Sequence, residues 1–363
     1  MLDWNFGHRI LCFTRGGPCR NREIKMNEKR AFSAIVPVAG AGTRLKPHTY
    51  TYPKVLLTVG HKPIIGHILD QLISIGRPTV YMVIGYLGDK IKEYVGKNYP
   101  DLDVVYVEQP EPKGLGHAIA LTDGLVKGPV FVLLGDTILD GDMARFVRFE
   151  EDCIGVKTVA DPRRFGVVET GPDGYVRTMV EKPANPTSNL AIVGAYSFVD
   201  AAEMYTALRE LVASGQTTKG EIQFTDALVK MVEKGAKIRP LQIDGWYDCG
   251  KPETLLSTNR YLLEHHAEKL ACSVEGSLLV PPVFIDKTAI IENSIVGPYA
   301  SVGAGVHISS AIVRDSIINE DAQLSRVILS ASLIGPGATM SGHVQHINIG
   351  ENSEIILDSS QDA

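Results

Sequence analysis

Two periods of apolar residues divide the chain. From Ala34 to about Ile243, short β-branched runs alternate with segments whose aliphatic residues recur at helical spacing. AFSAIVPVA, PTVYMVIG, LDVVYVEQ and GPVFVLLGD read as buried strands. PIIGHILDQLISIG repeats Ile64, Ile68, Leu72 and Ile65, Leu69, Ile73, which predicts an amphipathic helix, and GHAIALTDGLV predicts helical structure after LDVVYVEQ. This alternation predicts an α/β fold with a mostly parallel, Rossmann-like sheet covered on both faces. Ligands of such sheets bind at the carboxyl ends of the strands, where GAGTR, EQPEPKGLG and GDT all fall.

From about Val283 the period changes to steps of six: Val296, Val302, Ile308, then Ile318, Leu324, then Ile334, Met340, then Ile349, Ile355. Small residues and glycines accompany them, as in SIVGPYASVGAGV and SLIGPGATMSG. A hexapeptide repeat of this kind predicts a left-handed parallel β-helix of stacked flat coils. A β-sandwich would show hairpin turns and polar alternation instead. Between the two patterns, WYDCGKPETLLSTNRYLLEHHAEKL predicts a connecting helix that starts near Pro252. The expected organisation is a mobile tail over residues 1–30, an α/β domain over 31–268 and a β-helix over 269–363.

Composition narrows the function. A net charge of −6 over 363 residues argues against general binding of nucleic acid. The five cysteines, Cys12, Cys19, Cys153, Cys249 and Cys272, lack paired metal spacing, which fits a reducing cytoplasm. No apolar run approaches the ~18 residues of a membrane span, so no membrane partner is expected. Positive charge is local: VPVAGAGTRLKPHTYTYPK holds Arg44, Lys46 and Lys54, and no acid occurs between Glu28 and Asp70. Glycines that let backbone approach a ligand, followed by cations, predict an anion site. The spacing fits neither the dinucleotide fingerprint, which wants a third glycine where Leu45 stands, nor the P-loop.

GAGTRL with Pro53-Lys54, then EQPEPKGLGHA, LLGD, RFGVVE, VEKP, GAYSF and GWYDCG, in that order over about residues 32–265, closely resembles the sugar-1-phosphate nucleotidyltransferases. The hexapeptide tail resembles long forms of that family, such as glucose-1-phosphate thymidylyltransferase-like and mannose-1-phosphate guanylyltransferase-like enzymes. The resemblance implies a nucleoside triphosphate and a sugar 1-phosphate as substrates, Mg²⁺ as cofactor, and a homo-oligomer formed through the β-helix. It implies that Arg44 holds the β,γ-phosphates and Lys54 the α-phosphate, with Ala39, Gly40, Ala41, Gly42 and Thr43 forming the cradle.

Asp136 and Asp248 match the family's two magnesium carboxylates. Gln109 matches the side-chain amide that reads a pyrimidine edge, with Gly114 leaving room for the ring. Gly166, Glu181 and Lys182 match the sugar-phosphate side. Read as residues alone, Asp136 and Asp248 could equally cap the segments after them, Gln109 could face solvent, and Glu181 with Lys182 could be an exposed charge pair. Asp226 reads as structural. His48, His61 and His67 read as surface or helix-end residues, and His307, His343 and His346 as parts of an assembly surface rather than of an acyltransferase. Thymidylyl or uridylyl transfer to glucose 1-phosphate is the expected reaction. Guanylyl transfer to mannose 1-phosphate and a catalytically silent regulatory subunit are its rivals.

Overall fold

The computed structural model of the chain describes residues 31–266 and 276–342. The tail over 1–30, the boundary at 268/269, and His343, His346, Ile349 and Ile355 lie outside the described residues.

The first strand, Ser33–Pro37, shows how the α/β part is built. Its side chains alternate: Ala34 and Val36 join one apolar core, while Ile35 joins the other. It pairs in parallel with Thr79–Ile84 on one side and Val130–Leu133 on the other, and Thr79–Ile84 pairs in parallel with Val104–Glu108. The four expected strands therefore lie together with their carboxyl ends on one edge. Val104–Glu108 was expected to be buried, but it closes the sheet edge and is only half covered. Beyond Val130–Leu133 the sheet is mixed. Leu190–Phe198 runs antiparallel to it and carries Gly166–Thr170, itself paired with Val176–Glu181. Asp152–Thr158 pairs with Leu190–Phe198 and, in parallel, with Ile238–Gln242.

Helix Ile64–Ile75 buries Ile64, Ile65, Ile68, Leu69 and Leu72 in the first core. Helices Leu115–Ala120, Ala201–Ser214 and Phe224–Glu233 cover the other face. Between Pro37 and Thr58, by contrast, regular structure is limited to three short 3-10 turns, Thr43–Leu45, His48–Tyr50 and Lys54–Leu56. No helix among the described residues is long and apolar enough to cross a membrane.

Helix Pro252–His266 leads to the left-handed parallel β-helix, of which four coils are described. Each coil contributes one strand to each of three parallel sheets. The inward residues are Val296, Val302, Ile308, Val313, Ile318, Leu324 and Leu329, all buried in one core. The steps between them are thus five as well as six. Leu278 pairs with Ile295 and Ile312 with Ile328, so the coils are 17 and 16 residues long. A strict six-residue reading passes over Val313 and Leu329, the inward residues of the strands Ile312–Arg314 and Ile328–Ser330, each of which is reached by a step of five.

The three faces of this prism differ. The face of Val283–Ile285, Ala300–Val302, Ile317–Ile318 and Leu333–Ile334 packs on the α/β domain, where Ile317 is part of the first core and Leu333 lies against it. A second face stacks Ile290, His307, Gln323 and Thr339. There His307 pairs with Glu292 of the neighbouring coil at 3.2 Å. The third stacks Leu278, Ile295, Ile312 and Ile328 in register, with exposures of 57, 39, 37 and 75%.

Candidate active site

The chain turns at Gly42, which has a left-handed φ of 60°. A side chain there would be strained, and its Cβ would stand 3.0 Å from Lys54 Cβ and from Thr49 Cγ2. Thr49 Oγ1 donates to the Gly42 carbonyl at 2.8 Å, and the Leu45 amide donates to the same oxygen at 2.9 Å. Gly40, Ala41, Thr43 and Arg44 remain exposed, which leaves the turn open to a ligand. Ala39 is half-buried beside Gly85.

Asp136 follows the strand Val130–Leu133, and a short antiparallel ladder brings the second carboxylate to it. Thr137–Asp140 pairs with Gly245–Asp248, with Asp248 opposite Thr137. Lys54 is 8% exposed, and its ammonium donates to Asp136 Oδ2 at 2.5 Å. Burial pushes the Asp136 carboxyl up, but Lys54, the Thr137 hydroxyl and Arg44 outweigh it, so its pKa lies below the ordinary carboxylate value. Asp248 is pushed the other way. Burial and then the charge of Asp136 raise its pKa, and Lys54, Arg44 and Arg164 only partly offset them. Asp248 does not cap the following helix, where Thr254 Oγ1 accepts from the Lys251 amide.

The sugar-side residues meet across another ladder, in which Glu181 lies opposite Gly166. Glu181 is not an exposed charge. Its side chain is 11% exposed, it accepts from Thr225 Oγ1 at 2.8 Å, and Lys182 Nζ lies 3.1 Å away. Arg44, Asp136, Gly166, Glu181, Lys182 and Asp248 line one cleft of about 350 Å³.

Gln109 and Gly114 stand apart from that lining. Gln109 is buried rather than solvent-facing, and its amide donates to the Gly114 carbonyl at 3.3 Å and meets His117 Nδ1 at 3.0 Å. Gly114 has φ 107°, and a Cβ there would fall 2.7 Å from the Ile222 carbonyl. The requirement for glycine comes from this backbone packing, since the space beside it is filled by Glu221 and Ile222.

Sequence reasoning passed over two side chains in the cleft. Trp246 shares a strand face with Asp248, two residues on, and its buried indole N–H has no hydrogen-bond partner. Arg164 approaches Asp248 at 3.9 Å. The alternation of WYD on a strand would have found the first, and Arg164 is the opening residue of the quoted RFGVVE. His67 is no surface residue: burial pushes its imidazole down to about 3 while the ring bonds the Val59 carbonyl. Asp226 keeps one buried carboxylate oxygen without a hydrogen bond.

A cleft with cations at one wall, two adjacent carboxylates and a buried glutamate beside a lysine can hold two phosphorylated substrates. The comparisons agree with that chemistry. The nucleotidyl transferase family model matches residues 33–265. A glucose-1-phosphate thymidylyltransferase of Streptomyces antibioticus is 30% identical over 90% of this chain and 99% of its own. The low-salt glycan biosynthesis nucleotidyltransferase Agl11 of Haloferax volcanii is 31% identical over 88% of this chain and 98% of its own. The bifunctional protein GlmU of Methanococcus vannielii is 32% identical over 68% of this chain and 59% of its own. A solved UDP-glucose pyrophosphorylase in complex with UDP-glucose superposes with a TM-score of 0.56 at 25% identity, covering 65% of this chain and 99% of that one. The chain therefore belongs to the nucleotidyl transferase family, as a sugar-1-phosphate nucleotidyltransferase of the long form that carries a β-helix.

Proposed function

We propose that this protein transfers the nucleotidyl group of dTTP or UTP to a hexose 1-phosphate, glucose 1-phosphate in the first instance, and releases pyrophosphate. The observation that carries the reading is the single cleft in which Arg44, Asp136 and Asp248 face Glu181 and Lys182. An oxygen of the sugar phosphate forms the new bond to the α-phosphorus as the bond to the β-phosphate oxygen breaks. A phosphate monoester has its second pKa near ~6, so this oxygen is ionised at neutral pH and needs no general base. Arg44 takes the charge of the departing pyrophosphate, the open turn at Gly42 seats the triphosphate, and Lys54 orients Asp136 while meeting the α-phosphate.

Lys182 receives the sugar phosphate, and Glu181, fixed by Thr225, accepts from sugar hydroxyls. The buried amide of Gln109 reads the base; the thymidylyl and uridylyl relatives support this choice over guanine. Asp136 and Asp248 would hold Mg²⁺, which when bound would neutralise phosphate charge. The donor set fits it: one or two carboxylates suffice when phosphate oxygens and waters complete the octahedron. Among the described residues there is no cluster of three or more His, Cys, Asp or Glu that could hold a metal in another way.

Two further parts of the reading are a cytoplasmic setting, in keeping with the free buried thiols of Cys153 and Cys249, and self-association through the β-helix. The aliphatic column Leu278, Ile295, Ile312, Ile328 repeats every ~4.8 Å, the spacing of adjacent strands, and a second copy of the chain would match it rung for rung.

The test is pyrophosphate release with Mg²⁺, glucose 1-phosphate and each nucleoside triphosphate in turn, with Asp136→Asn as the control. Release with dTTP or UTP that vanishes in the control supports the reading. Release only with GTP and mannose 1-phosphate, or none with any pair, refutes it.

A further inference from the structure

The loop that seats the triphosphate has little structure of its own. Between Pro37 and Thr58 its three 3-10 turns are three residues each, too short to fix their own geometry. The contacts that fix it lead out of the cleft and into the β-helix. His48 is half-buried at the fourth coil, where a Cβ on Gly335 would stand 3.6 Å from its Nδ1. Its neighbour Thr49 is 3% exposed and holds the Gly42 carbonyl through Oγ1.

Leu45, Val55, Leu56 and Leu57, which flank Arg44 and Lys54, share one core with Ile317 of the third coil, and Leu333 of the fourth packs against that core. A second fastening lies beside this one. Asn259 is wholly buried, and its Oδ1 accepts from the Gly60 amide at 2.8 Å and from Ser301 Oγ at 2.7 Å. Its Nδ2 donates to the Tyr299 carbonyl at 3.2 Å. Arg260 pairs with Asp315 on the same side of the prism.

We infer that the fourth coil of the β-helix, through Leu333, His48 and Thr49, positions the Gly42 turn and so sets the affinity for the nucleoside triphosphate from outside the cleft. What the turn holds rests on the nucleotidyl-transfer reading above; that the β-helix orders it does not. Thr49, His48 and Leu333 are positioning residues, because none of them lines the cleft. The sugar-phosphate side is built on Gly166–Thr170 and Val176–Glu181, two strands at the far end of the sheet order from the loop's neighbours. The effect should therefore be confined to one substrate.

The experiment uses the full chain with Leu333→Ala, His48→Ala, Thr49→Val and Thr49→Ser, and with Ile328→Ser as the control on the outward face of the same coil. Two quantities are read: hydrogen exchange at the amides of Gly42 to Leu45 without substrate, and KM for each substrate. Leu333→Ala, His48→Ala and Thr49→Val are expected to speed loop exchange about tenfold and to raise KM for the triphosphate about fivefold or more. KM for the sugar phosphate should stay within about twofold. Thr49→Ser keeps the hydroxyl and should restore both, and Ile328→Ser should change neither.

Unchanged loop exchange in Leu333→Ala and Thr49→Val overturns the inference, and so does an equal rise in both KM values. Faster loop exchange in a protein that forms no nucleotide sugar would instead sink the substrate reading and leave the positioning role standing.

Discussion

Lys54→Met tests the charge balance of the cleft without requiring that any substrate be known. At the 2.5 Å separation of Lys54 and Asp136 and an effective dielectric of ~20, the attraction is about 6–7 kcal/mol before desolvation. Withdrawing each ion from water costs several kcal/mol, so most of that attraction is offset. Loss of one member of a fully buried pair costs about 3–5 kcal/mol, because the other charge is left uncompensated. Asp136 keeps 36% of its side chain exposed, so water at the cleft compensates part, and about 2–3 kcal/mol is expected.

Asp136→Asn in the Lys54→Met background removes the orphaned charge and should recover about 2 kcal/mol as coupling in the double-mutant cycle. Differential scanning calorimetry at pH 7 reads it, with Lys54→Met melting roughly 5–10 °C lower. A coupling below about 0.5 kcal/mol, the scatter of independent sites, would refute the argument that Lys54 compensates Asp136.

Asp248→Asn should stabilise the substrate-free protein at pH 7 by about 0.5–2 kcal/mol while abolishing transfer. The sign follows from the raised pKa: the neutral form suits the fold, so this group's favourable contribution is present below the ordinary carboxylate value and lost as pH rises through the folded value. The gain should vanish in melts below about pH 4, and no gain at pH 7 would contradict the assignment. In calorimetric titration the same variant should bind metal-free dTTP more tightly than the parent does. Gly114→Ala forces a side chain onto the Ile222 carbonyl at φ 107° and should destabilise by about 2–4 kcal/mol in urea unfolding; a neutral result would show that the loop yields. Ile312→Asp with Ile328→Asp should convert any assembly to monomers by light scattering while transfer persists, and an unchanged mass would dismiss the column as an interface.

The four parallel strands and the helix Ile64–Ile75 were legible because buried β-branched runs and a 3.6-residue period are local signals. The β-helix was legible for the same reason, but its coil length was not. Val313 and Leu329 are reached by steps of five rather than six, and a coil shortened by one residue shows only when coils are stacked. Arg44, Asp136, Gly166, Glu181, Lys182 and Asp248, which the structure brings into one cleft, were singled out through family resemblance, whereas other residues of its lining were not. Trp246 looks like core from its type, although strand alternation sets it on the face of Asp248, and Arg164 looks like a solvated charge; its place beside Asp248 depends on the fold bringing together positions 84 apart. Gly114 shows the opposite failure. The residue was singled out, but the reason for glycine is Ile222, which no local window contains.

The opposed shifts of Asp136 and Asp248 follow from one feature of that ladder. It sets Asp248 opposite Thr137, beside Asp136, while the buried ammonium of Lys54 reaches only the Asp136 oxygen. Arg44 and Arg164 attract Asp248 without cancelling its burial and its neighbour's charge. The floor of the cleft is therefore compensated on one carboxylate and under-compensated on the other. A bare triphosphate would add negative charge beside the under-compensated one, at a cost that Arg44 and Arg164 would have to offset. A triphosphate that brings a divalent cation reverses the sign of that term, because the strained carboxylate becomes the one most in need of a cation. If Asp136 and Asp248 hold Mg²⁺ as proposed, the raised pKa of Asp248 would favour the metal-bound nucleotide over the bare one, at a cost to the stability of the empty protein.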